Sequence, residues 1–96
     1  MDFAKLRNRP VEPGTTILKE QEEVIGGHPC ILEFWVWQGI SAMSAIFLAS
    51  DVGEMKKRDL ISFYFNELKL PVDEEATVKK SGEFVFINYS FQSTDD

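Results

Sequence analysis

The only histidine and the only cysteine of this 96-residue chain, His28 and Cys30, stand two residues apart in Gly27-His28-Pro29-Cys30. A thiol beside an imidazole is the start of a nucleophile–base pair. The spacing argues against that chemistry. Residues two apart on an extended segment are about 6–7 Å apart at Cα, and no third group is at hand to orient the base. The expectation is a histidine exposed at a turn and a cysteine in the core, with no catalytic residues. One Cys and one His also fall short of the four ligands of a structural zinc site, and no carboxylate spacing matches a calcium loop, so no metal is expected. The glycine patterns that cradle phosphates, and the serine elbow of hydrolases, are missing, so no cofactor is expected either. Without a nucleophile, base and stabiliser the chain reads as non-enzymatic.

Polar chemistry of a different kind attaches to Glu33 and Ser44. They lie within two adjoining apolar stretches, Cys30 to Trp37 and Ile40 to Leu48, broken by Gln38-Gly39. Read as a hairpin closed by that dipeptide, the block places Trp37 opposite Ile40, Trp35 opposite Ala42, Glu33 opposite Ser44 and Ile31 opposite Ile46. By the period-two rule these residues share one face, and Cys30, Leu32, Phe34 and Val36 share the other with Met43, Ala45 and Phe47. The second set is uniformly apolar and suits a core under a helix. The first is mixed, and a carboxylate among Trp35, Ile31 and Ile46 is costly unless it is hydrogen-bonded or hydrated. Glu33 therefore reaches solvent at a rim, or Glu33 and Ser44 are polar anchors in an aromatic-lined recess.

Each indole can bury about 150–250 Å², worth roughly 4–6 kcal/mol at about 25 cal/mol/Å². Something should cover the Trp face: the helix, if it lies on that side and leaves the Phe34 face bare, or else the N-terminal arm, a second copy of the chain, or a partner protein. The elements that could do so are few. Pro10 and Pro13-Gly14 set off an arm, residues 1–14, in which Phe3 and Leu6 allow a helical turn. The body, residues 15–91, reads as strand one (Thr15 to Ile25, with the polar middle of an edge strand), a Gly26-Gly27 turn, strand two (Cys30 to Trp37) and strand three (Ile40 to about Ala49). Asp51 and Glu54 make a plausible capping pair for a helix over Glu54 to Lys69. On it Leu60, Ile61, Tyr64, Phe65 and Leu68 form one stripe, with Phe63 at the margin. After the acidic loop Asp73 to Glu75, strand four (Ala76 to Lys80) turns at Ser81-Gly82 into strand five (Glu83 to Phe91), and residues 92–96 read as a disordered tail. The expected fold class is α+β in the order β-β-β-α-β-β: a mainly antiparallel five-stranded curved sheet with one helix packed across a face.

A formal charge of −6 argues against nucleic acid and anionic membranes as main partners. The lone cysteine suggests a reducing compartment. No apolar run reaches spanning length and the first ten residues hold no leader-like segment, so a soluble cytoplasmic protein is expected and the Asn88-Tyr89-Ser90 sequon reads as chance. The charge is uneven. Lys5, Arg7 and Arg9 stand in the arm, Lys56-Lys57-Arg58 at the start of the expected helix, and acid collects at Glu20, Glu22 and Glu23. Cations in a helix's first turn oppose its dipole, which makes Lys56, Lys57 and Arg58 a candidate contact for an anion or an acidic partner.

The element order is similar to the core of class I type III secretion chaperones, although no segments for that fold's long flanking helices are present. The resemblance implies a small, acidic, cytoplasmic homodimer. The sequence's leading functional expectation agrees: a non-enzymatic protein-interaction module, homodimeric, joined through Trp35 and Trp37 with Ile31, Ile40 and Ile46 around them. The first alternative is a small-ligand-binding protein with an apolar aromatic pocket, oriented by Glu33, Ser44 and Asn88. The second is a chaperone-like or inhibitor protein whose acidic clusters bind a basic partner.

Overall fold

Two-residue turns carrying positive φ shape the sheet. Gly26 and Gly27 have φ of 58° and 83° and join β1 (Thr16–Ile25) to β2 (His28–Trp37). Gln38 and Gly39, at 48° and 79°, join β2 to β3 (Ile40–Leu48). Positive φ at both positions is the turn whose twist matches paired strands, and it favours glycine. Gln38 adopts it without glycine's freedom. The third hairpin, β4 (Thr77–Ser81) to β5 (Phe84–Ser90), turns through Gly82-Glu83, one residue later than the expected Ser81-Gly82.

The computed structural model describes residues 3–67, 69 and 76–90, without the side chains of Tyr89 and Ser90. The expectations for Leu68, Pro71, the acidic loop at 73–75 and the 92–96 tail lie outside the described residues. The fold is α+β: one unclosed, antiparallel five-stranded sheet in the order β1-β2-β3-β5-β4, with short helices. β1 is an edge strand, as its polar middle indicates. The β2–β3 register is the one the turn dictates, with Trp37 opposite Ile40, Trp35 opposite Ala42, Glu33 opposite Ser44 and Ile31 opposite Ile46.

Helices depart from the expectation of a single one. The chain forms α1 (Phe3–Arg7), α2 (Ala49–Val52) and α3 (Lys57–Glu67). Asp51 lies inside α2 instead of capping the long helix, because the chain turns directly from β3 into α2 at Ala49, whose N–H donates to the Glu83 carbonyl. α3 buries Leu60, Ile61, Tyr64 and Phe65, the i, i+1, i+4, i+5 stripe of its sequence. It lies across the face of Cys30, Leu32, Met43, Ala45 and Phe47, joined by Val85 and Ile87 from β5. Aromatic edges lock this layer: Tyr64 meets Phe65 at 5.2 Å and Phe47 at 6.5 Å between ring centroids. No helix among the described residues is long and apolar enough to cross a membrane.

The opposite face is covered by the N-terminal arm. Leu6 of α1 is fully buried on Ile31, Ile46 and Leu48, with Phe3, Phe84 and Phe86 at the margin of the cluster. α1, about 7.5 Å long, is less than a quarter the length of β1, about 33 Å, so the cover is partial. Beyond Leu6 the arm runs on as an irregular segment over the Trp end of the hairpin.

Candidate functional site

Where α1 ends, Arg9 turns inward. Its Nε donates to Glu33 Oε2 at 2.7 Å, and its Nη2 donates to Glu33 and to Glu20. Nη1 reaches the Leu6 carbonyl at 3.4 Å. Glu20 and Glu33 are direct cross-strand partners, a like-charge pairing that would repel without a cation between them. Burial alone would lower the Arg9 pKa, but the hydrogen bonds and charges of Glu20 and Glu33 outweigh it and hold the guanidinium above its usual value. Further ion pairs, Arg7 with Glu22 and Lys5 with Glu83, run along the same arm. These are exposed and contribute little each, whereas Arg9 and Glu33 are both 6% exposed and depend on one another.

Glu33 is therefore not at a solvent rim; Ser44 is its cross-strand neighbour, as expected, while its carboxylate accepts from Arg9. Ser44, also buried, accepts a hydrogen bond from Trp35 Nε1 at 2.8 Å and donates to Asn88 Oδ1. This relay crosses three adjacent strands, β2, β3 and β5, and consumes the Asn88 carbonyl. The Asn88 amide hydrogens remain as donors.

Beside the relay lies an open recess of about 600 Å³, within the range of small-molecule sites. Its floor is Glu33, Ser44 and Asn88, and its aromatic side is Trp35, Trp37 and Phe86. The arm residues Pro10, Val11, Glu12, Pro13 and Thr15 form one wall, and Lys79 and Ser81 of β4 another. Pro13 and Gly14 form a turn in which the Thr15 N–H donates to the Glu12 carbonyl at 3.2 Å, and Gly14, at φ 87°, lies beside the Trp37 indole, whose Nε1 would be 3.6 Å from an added Cβ. Lys79 Nζ and Glu12 Oε1 face each other at 3.6 Å across the rim.

The structure divides the residues singled out by sequence. Trp35, Trp37, Glu33 and Ser44 meet at the recess. Ile31 and Ile46 are fully buried under α1, so they hold the arm and present no surface. Ile40 is 48% exposed at the hairpin tip, near Trp37 at 37%. Lys56, Lys57 and Arg58 are exposed around the start of α3, on the other side of the sheet. His28 opens β2 as a half-buried residue, with its ring edge-on to Phe63 at 6.3 Å, instead of lying exposed in a turn. Cys30 is in the core, where burial pushes its thiol up to about 12, so it is protonated and unreactive at neutral pH. No cluster of three or more metal-ligating side chains occurs among the described residues.

Arg9 is the site residue that strand patterning does not reveal. A signal was present: cations at 5, 7 and 9, and carboxylates at 20, 22 and 33 that lack local partners.

Comparison with protein-family models, with curated proteins and with solved structures finds no match. The similarity to type III secretion chaperones thus rests on element order alone.

Proposed function

We propose that this protein is a non-enzymatic binding module whose arm-walled recess takes a small, largely apolar ligand. The observation that carries this reading is the convergence of two indoles with the half-buried Trp35–Ser44–Asn88 relay on one open concavity. A purely structural face would close over its aromatic residues. Here Trp37 remains over one-third exposed, and the polar groups below it are held in fixed orientations. The indole N–H of Trp37 and the Asn88 amide have no partner among the described residues, so a ligand oxygen would find donors at both. The test is titration with a neutral phenol such as p-cresol, read by tryptophan emission, with the mass followed by sedimentation. A saturable change in a one-chain species supports the reading. No change up to the solubility limit contradicts it.

A second reading, self-association, is favoured by the apolar tip, where Val11, Trp37 and Ile40 are 45%, 37% and 48% exposed in one region. Its contact would be confined to that tip, since Ile31 and Ile46 are already covered. A mass that doubles with concentration, and returns to one chain in Trp37→Ala, would favour it.

A further inference from the structure

The charges around the recess do not balance, and this points to the ligand's chemistry. Three charged side chains line it: the carboxylates of Glu12 and Glu33 and the ammonium of Lys79. Lys79 faces Glu12 at the rim, so the floor charge belongs to Glu33. Arg9 lies behind that floor and is shared between Glu33 and Glu20, one guanidinium for two carboxylates. Moreover, Arg9 takes only one oxygen of Glu33. All its bonds to that residue end on Oε2, and Oε1 accepts none among the described residues. Glu33 is 6% exposed, but Oε1 keeps contact with solvent and is an acceptor open to a ligand's donor.

Trp35, Trp37 and Phe86 line the same recess, and their π systems attract cations, the more so where water is excluded. Resting on the binding-module reading above, we infer that the recess selects an organic cation: a protonated amine on an aromatic or aliphatic body. The ammonium donates to Glu33 Oε1 among the aromatic rings. A ligand oxygen accepts from the Asn88 amide, whose orientation Ser44 fixes. An anion would face an unbalanced carboxylate at the floor and find only Lys79, which is already engaged with Glu12.

Three phenols with the same body separate this inference from the reading beneath it: tyramine (cationic), 2-(4-hydroxyphenyl)ethanol (neutral) and 3-(4-hydroxyphenyl)propionate (anionic). Each is titrated by calorimetry into the full chain at pH 7 and low salt. The expected result is tyramine binding about tenfold or more tighter than the alcohol, with the propionate weakest. The tyramine advantage should shrink as salt is raised. Glu33→Gln should remove the tyramine advantage, so that tyramine and the alcohol bind the variant equally. Should that variant misfold, Glu12→Gln at the exposed rim leaves Lys79 without its carboxylate, makes the recess less negative, and should reduce tyramine binding by a smaller factor. Equal binding of tyramine and alcohol, or preference for the propionate, overturns the cation inference and leaves the recess reading standing. Absence of binding by all three overturns both.

Discussion

The two faces of this sheet are built from alternate residues of the same strands and are finished in opposite ways. Under α3, every β2 and β3 residue from Cys30 to Leu32 and Met43 to Phe47 on that face is apolar and meets an aromatic helix stripe. Under the arm, apolar packing stops at Leu6 and gives way to a buried Arg9–Glu33 pair that also reaches exposed Glu20, a side-chain relay and an open recess. A closed apolar layer gains from area buried and has little use for precise geometry. A polar layer gains little net stability, yet its groups tolerate only one arrangement. One face supplies the stability, and the other can hold a preorganised site on its back.

The contrast can be broken most forcefully at Phe47. It is fully buried between Tyr64 and Phe63, and Phe47→Ala should cost about 3–5 kcal/mol in denaturant unfolding, near the limit for a domain of this size. Arg9→Met should cost less, about 2–4 kcal/mol, because Glu33 is left buried opposite Glu20. Unlike the Phe47 change, it should free the arm, read as faster amide exchange over α1. Adding Glu33→Leu should restore part of the loss, since removing both partners is cheaper than removing one.

Alkaline titration gives the next effect. The Cys30 thiol stands at about 12 in the fold against 9.0 when unperturbed, so the unfolded chain ionises first. Its contribution is whole below about pH 9 and is lost as pH rises towards 12, on the order of a kcal/mol per unit at most. Cys30→Ala should remove that slope from the pH profile of stability, and a slope unchanged in the variant would refute the assignment. The smallest effect belongs to Gln38, at φ 48°. Gln38→Asn should stabilise the hairpin by a few tenths of a kcal/mol, visible as a slight rise in Tm without change in the recess.

Much of the apolar face was legible in the sequence. A two-residue turn at Gln38-Gly39 admits one pairing, so Glu33 had to face Ser44, and helical spacing had to put Leu60, Ile61, Tyr64 and Phe65 together. The polar face was less so. Arg9 meets Glu33 across 24 residues, through an arm whose path depends on tertiary packing. Local pattern does not encode such a contact, and only the complementary charges of arm and β1 hinted at it. The relay through Ser44 was hidden for the same reason: Asn88 arrives from β5, the strand that enters between β3 and β4. The capping pair Asp51 and Glu54 failed because β3 runs straight into α2.

If the recess binds a ligand, the arm-covered face is an open site instead of a second core. Two-dimensional proton–nitrogen NMR during addition of a neutral phenol tests this directly. The prediction is saturable shifts at the Trp35 and Trp37 indole N–H and the Asn88 side-chain amide, with the α3 face unmoved. Shifts absent from those three groups, or indole signals that broaden with protein concentration before any phenol is added, would contradict it.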